Sequence, residues 1–270
     1  MMSTKISGKR ANSTVKNPTY KAPALEKGLD IIELLADQPE GMTQAQIATA
    51  LNRSVSEIFR MIDGLLRRRY IALSPTGDRY ILTLKMFELS HRHAPMRRLI
   101  HNALPHMRDV AHRLNQACHI AVFHEGRIMV VAQVDNPESI GLVVRMGAQL
   151  DLLRTSSGLV MLAFAGKDER ERMLSEYKLF VGNVVDRKAL NAQLEVIRQL
   201  GFHEAESQLV DGVRNLSFPV FSFSGDVIAT IAVPYLRRIN GGYPDLDVAR
   251  GVLNDVATKI STAMGATVAR

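Results

Sequence analysis

Apolar positions recur at helical spacing soon after the chain begins. Leu25, Leu29, Ile32 and Leu35/Ala36 share one stripe and predict a helix from Ala24, which Gln38-Pro39-Glu40-Gly41 stops. A second helix starts at Thr43, where Thr43 and Gln46 form a capping box, with Ile47 and Leu51 inward. It ends at Asn52-Arg53. Ser54 and Glu57 repeat the capping signal at once, opening a third helix whose buried stripe is Ile58, Ile62, Leu65 and Leu66. Two capped helices across so tight a turn mark a helix-turn-helix. Two short β-prone runs follow, 70–73 and 79–82, on either side of Pro75-Thr76-Gly77-Asp78; they predict a hairpin wing.

Further on, Thr83 to about Ser90 and Leu99 to Asn115 predict helices. Strands are expected at 119–123 and 128–134, joined by Glu125-Gly126, with a continuation over Ser139–Arg145. Helices are expected at 156–165, 169–177 and 188–200. Strands return at 213–223 and 227–235 around Ser224-Gly225-Asp226, and a last helix runs from about Leu246 to Val268. Hairpin-joined strands with intervening helices describe an α+β sheet domain. The expected division is a tail over 1–22, a winged helix-turn-helix over 23–83, a linker helix over 84–101, and a ligand-binding and oligomerisation domain over 102–270.

Charge sharpens this division. Residues 1–102 carry 16 Lys and Arg against 9 Asp and Glu, whereas 103–270 carry 18 of each. A basic module joined to a neutral one suggests that the first meets a polyanion. Five of the cations (Lys5, Lys9, Arg10, Lys16 and Lys21) lie in the polar tail, so a tail kept for solubility is the alternative. Over 23–102 the balance is 11 to 9, and side-chain placement must carry specificity.

Helical periodicity turns Val55, Ser56, Phe59, Arg60 and Asp63 outward on the third helix. Arg60 suits a guanine edge or a phosphate, and Val55 and Phe59 suit thymine methyl groups. Arg53 and Arg79 suit phosphates. Against this, Phe59 could pack on the first helix. Arg67-Arg68-Arg69 reads as a solvated helix end favoured by the helix dipole.

Other chemistry is sparse. The chain has one cysteine, Cys118, so it has no internal disulfide, and a reducing, cytoplasmic location is the default expectation. It has no apolar run of membrane-spanning length and no secretory signal, so no membrane association is expected. No Gly-x-Ser-x-Gly, P-loop, Gly-x-Gly-x-x-Gly or Cys/His metal spacing occurs, so neither catalysis nor a cofactor or metal is expected. His91, His93, His101, His106 and His112 lack the i, i+4 spacing of paired ligands.

Thr155-Ser156-Ser157-Gly158 opens a helix after an extended segment, where free N–H groups favour a carboxylate. Arg154 and Arg214 are candidate counter-charges, and Asn215 offers both a donor and an acceptor. Alternatively, Thr155 only caps the helix and both arginines are surface groups. Leu150, Ile128 and Val130 are the expected apolar lining.

The chain resembles the IclR-type family of bacterial transcriptional regulators over nearly all its length after the tail. The resemblance rests on residues 24–31, on Ser56-Glu57-Ile58-Phe59-Arg60-Met61, on Gly147-Ala148-Gln149-Leu150 before Thr155-Ser156-Ser157-Gly158, and on Asp211-Gly212-Val213-Arg214-Asn215 before Phe218-Pro219-Val220-Phe221. It implies a GAF-like C-terminal domain that binds a small organic acid effector. It also implies homodimers, often paired into tetramers, on a partly palindromic double-stranded DNA operator. Asn215 stands where relatives often have cysteine, Ala232 and Pro234 where they have small polar residues, and Ala205 where an acid is frequent. The more apolar floor favours an aromatic or bulkier acid over a two- or three-carbon oxo acid. A ligand-sensing protein that uses its helix-turn-helix for protein contacts, and an enzyme with a regulatory DNA-binding domain, are the rival readings.

Overall fold

A computed structural model describes residues 22–92, 94–139, 141–181, 186–208, 210–237 and 244–267. The expected tail, apart from residue 22, lies outside these residues, as do His93, Ile140 and the expected helix end at Val268. Two compact units divide between Arg92 and His93.

The first unit contains α1 (Pro23–Ala36), α2 (Gln44–Ala50), α3 (Val55–Arg67), β1 (Ile71–Leu73), β2 (Tyr80–Leu82) and α4 (Lys85–Arg92). Both capping boxes form: Thr43 with Gln46, and Ser54 with Glu57. Between them Asn52 turns the chain at φ 52°, a left-handed conformation that asparagine tolerates better than most residues. Ile31, Leu35, Ile47, Ile58, Ile62 and Ile71 make the core. Burying each such side chain stabilises the unit by about 1.5–3 kcal/mol relative to exposure. β1 and β2 pair antiparallel, and Met42 adds a bridge to Tyr80. Gly41 permits that bridge, because a Cβ there would lie 2.5 Å from the Tyr80 carbonyl oxygen.

The second unit contains α5 (Ala94–Leu114), β3 (Cys118–His124), β4 (Arg127–Val134), β5 (Gln149–Asp151), α6 (Ser156–Phe164), α7 (Lys167–Val181), α8 (Arg187–Leu200), β6 (His203–Glu206), β7 (Val213–Phe221), β8 (Val227–Leu236) and α9 (Leu246–Ala263). The strands form one sheet in the order β5-β4-β3-β8-β7-β6, with every neighbour antiparallel. Leu216, Phe218, Ile231 and Val233 pack with α5 and α9 on one face. On the other, Ala121, Ile128 and Val130 pack with α6, α7 and α8.

Three sequence expectations change. Residues 141–145 form no strand, and the partner of β4 is the short β5 instead. β6, not foreseen, pairs with β7 at the sheet edge. The last helix ends at Ala263.

Candidate nucleic-acid interface and ligand cavity

In the first unit the cap of α3 also fixes the charge of its first turn. Glu57 Oε2 accepts from the Ser54 backbone N–H at 3.0 Å, and Oε1 accepts from Lys27 Nζ at 3.0 Å. These two bonds, the Ser54 backbone bond foremost, hold the Glu57 carboxyl at a pKa of about 2. The one acid in that turn is therefore ionised, bound to the fold and paired with a cation. The outward stripe is open: Val55 is 48% exposed and Phe59 59%, and Ser56, Arg60 and Asp63 are exposed beside them. Phe59 therefore does not serve the core. The Ser56 hydroxyl lies 3.1 Å from that of Ser54. Arg53 is exposed just after the Asn52 turn. Arg79 is partly committed to the fold, donating to the Gly41 carbonyl at 3.1 Å and lying 3.9 Å from Asp78. Arg67, Arg68 and Arg69 are exposed at the helix end.

In the second unit the start of α6 is built by Asp151 and Thr155. Asp151 Oδ1 accepts from the backbone N–H groups of Leu153 and Arg154 at 2.8 and 2.9 Å. Thr155 Oγ1 donates to the Asp151 carbonyl and accepts from the Gly158 N–H. Gly158 is required here, since a Cβ would lie 2.1 Å from the Leu152 carbonyl oxygen. This close approach sets the helix start over the sheet, where it roofs a cavity of about 120 Å³.

Of the residues expected at the ligand site, Leu150, Thr155, Ser156, Ser157, Asn215, Ala232 and Pro234 line this cavity together. Ile128 and Val130 instead belong to the core beneath α6 and α7. Arg154 is exposed, its Nε donating to Gln208 at 3.3 Å. Arg214 is a correction. It precedes Asn215 on β7, so it points to the opposite face of the sheet, where its Nε lies 3.4 Å from both Glu204 and Glu206. Neither arginine lines the cavity, and among the described residues no charged side chain does.

Sequence reasoning missed His119, Leu142, Val144, Ser207 and Val210, which complete the lining. His119 is 5% exposed, and burial pushes its pKa down to about 4, so the ring is neutral at ordinary pH. Strand alternation was the available signal, for it sets His119 on the α6 side and Cys118 on the other. There the Cys118 thiol donates to the Met107 carbonyl at 3.3 Å, and burial raises its pKa to about 12, leaving it unreactive. His203 adds a polar contact from β6: its Nδ1 is 2.9 Å from Ser156 Oγ, which also reaches the Asn215 carbonyl at 3.4 Å. Since the serine hydroxyl has one hydrogen, a bond donated to Asn215 makes His203 Nδ1 the donor to Ser156. Burial lowers the pKa of His203.

A roomier groove of about 600 Å³ runs between the start of α5, α7 and the β7–β8 hairpin. It is bordered by exposed side chains such as Phe223, and it lacks the convergent buried polar groups of the smaller cavity.

A helix-turn-helix with a hairpin wing, joined to an antiparallel sheet domain with an internal cavity, defines a DNA-binding transcriptional regulator. The comparisons narrow the class. The IclR helix-turn-helix domain matches residues 24–75, and the bacterial transcriptional regulator IclR C-terminal family matches residues 92–262. The chain belongs to the IclR family of bacterial transcriptional regulators. It is 26% identical over 259 residues to the transcriptional regulator KdgR of Escherichia coli, covering 94% of this chain and 97% of that protein. The crystal structure of Pseudomonas aeruginosa HmgR is similar at 26% identity and TM-score 0.70, covering 90% of this chain and all of that one. An IclR homolog from Microbacterium hydrocarbonoxydans, complexed with 4-hydroxybenzoate, shares the fold at 24% identity and TM-score 0.72, covering 89% of this chain and 98% of that one.

Proposed function

We propose that this regulator reads an operator through α3 and its wing, and that a small organic acid in the sheet-domain cavity controls its affinity for that operator. The observation that carries the ligand half is the cavity itself, a compact enclosure where the start of α6, four hydroxyl-bearing residues and Asn215 converge above an apolar floor. Backbone N–H groups at a helix start attract anions, so a carboxylate needs no arginine there. At about 120 Å³ the space is well below the roughly 300–1,000 Å³ of drug-sized sites, which selects a small molecule. That a family member was crystallised with 4-hydroxybenzoate supports this class of ligand.

On the DNA side, Arg60 is the base-reading candidate, with Val55, Ser56 and Phe59 beside it, and Arg53 and Arg79 serve phosphates. Leu84, Met86 and Leu89, at and just before α4, are exposed apolar groups suited to self-association into a dimer or tetramer. Two symmetric copies would impose a partly palindromic site. The exposed Val55 and Phe59 also suit a protein partner, the one rival that an observation favours. Selection from a random-sequence duplex library distinguishes the two. The operator reading expects a partly palindromic motif with the wild type and its loss with Arg60→Ala. Enrichment of no motif, with the protein folded, overturns it. No helix among the described residues is long and apolar enough to cross a membrane.

A further inference from the structure

The cavity has two polar ends whose positions follow from strand register. His119 on β3 pairs with Ala232 on β8, and Asn215 on β7 pairs with Pro234 on β8. β8 thus separates the histidine from the asparagine. Neighbouring strands lie about 4.8 Å apart, so β3 and β7 run about 10 Å apart, and the two residues are also staggered by two positions along β8, across a floor made of Ala232 and Pro234. At the Asn215 end, polar groups are dense: the start of α6, Ser156, and His203 behind it. At the other end His119 is the lining residue that β3 supplies. Its ring lines the cavity, and its buried Nε2 has no hydrogen-bond partner among the described residues. Native interiors seldom leave such an atom unpaired, and an unpaired one at a cavity wall calls for a partner from outside the chain.

Building on the reading that this cavity holds a small acid, we propose that the ligand is a hydroxy acid, its carboxylate at the start of α6 beside Ser157 and Asn215, and its hydroxyl, an alcohol or phenol remote from the carboxylate, hydrogen-bonded to His119. The chemistry at His119 disfavours a charged or a hydrocarbon end. A second carboxylate there would be buried with no cation, because Arg154 and Arg214 both lie outside the lining. An ammonium group would be equally unpaired, because no acid among the described residues lines the cavity. A hydrocarbon end would leave the imidazole desolvated and unbonded. A hydroxyl both donates and accepts, so it satisfies either tautomer of a neutral ring. His119 is thus the specificity-determining residue that separates a hydroxy acid from its deoxy parent.

Matched pairs of probes test this on the full-length protein: 4-hydroxybenzoate against benzoate, and 4-hydroxybutanoate against butanoate, by calorimetry. The expected result is that at least one hydroxylated probe binds about tenfold or more tightly than its parent, the usual cost of leaving a buried polar group unpaired. His119→Leu should equalise that pair while keeping the weaker affinity, and His119→Gln should retain a preference. Should the leucine variant fail to fold, the wild type still decides, since the ring ¹⁵N resonances of His119 should move with the hydroxylated probe and stay with its parent. Equal binding of each pair by the wild type overturns the proposal. So does a preference that survives in His119→Leu, or binding of other acids with neither hydroxylated probe; all three leave the acid-effector reading standing. If no acid in a broad carboxylate panel binds, that underlying reading falls and this one with it.

Discussion

The two units handle polar groups in opposite ways. In the first, the charged and polar groups of α3 lie at the surface, and its one first-turn acid is committed to a local cap and to Lys27. In the second, the polar groups that converge on the cavity come from β3, α6, β6 and β7; His119, Ser156 and Ser157 are buried, and His203 and Asn215 are half-buried. A surface that meets a polyanion needs exposed donors, whereas a cavity that takes up a small molecule needs donors stripped of water. The comparison predicts different sensitivities to mutation and to acid.

The largest expected effect is Gly158→Ala. Its Cβ would sit 2.1 Å from the Leu152 carbonyl oxygen, a backbone atom that cannot give way cheaply. Loss of about 3 kcal/mol or more in the second unit is expected, with the first unit unchanged, read by hydrogen exchange resolved along the chain. Uniform protection in the variant would break the comparison.

Acid should separate the units next. The pKa of His119 falls from an ordinary 6.5 to about 4 on folding, so the unfolded chain takes the proton first. Stability of the second unit should therefore decline as pH drops from 6.5 toward 4, by about 3 kcal/mol at most, and then level off. The lowered pKa of His203 acts in the same direction. Glu57 in the first unit contributes stability above its ordinary 4.5 and loses it only as pH falls from there to about 2. Exchange protection measured from pH 7 to 3 should fail first in the second unit, and His119→Leu should flatten its decline. Simultaneous loss in both units would contradict the assignment.

Smaller effects sharpen the contrast. Ser54→Ala removes the cap of α3 and should cost about 1 kcal/mol in the first unit, weakening DNA binding while leaving acid binding alone. Arg214→Ala, which leaves Glu204 its pairing with Arg250, breaks two ion pairs of a guanidinium that is 43% exposed. It should change stability by less than about 1 kcal/mol and leave the thermal shift given by a bound acid unaltered. A lost shift would bring Arg214 back to the site.

How much the sequence revealed follows the same contrast. Both capping boxes span three residues, so Thr43/Gln46 and Ser54/Glu57 could be read directly, and the outward stripe of α3 followed from helical period. The second unit hid more, because its site depends on which strands pair. The apolar run at 141–145 looked like a strand, but Leu142 and Val144 are apolar because they wall the cavity. β6 has charged residues and pairs with a strand about ten residues away, giving little local signal. Arg214 and Asn215 were both placed at the site, although neighbours on a strand face opposite ways, and the same alternation would have found His119.

The most direct test of the account couples the two units in one measurement. Operator affinity of the full-length protein is titrated by fluorescence anisotropy with and without the acid that gives the largest thermal shift, in the wild type and in Asn215→Leu. The account predicts that the acid changes the wild-type operator Kd by about 5- to 150-fold and that the variant loses the change while keeping its acid-free affinity. An acid that binds in the cavity and leaves the operator Kd untouched would contradict it.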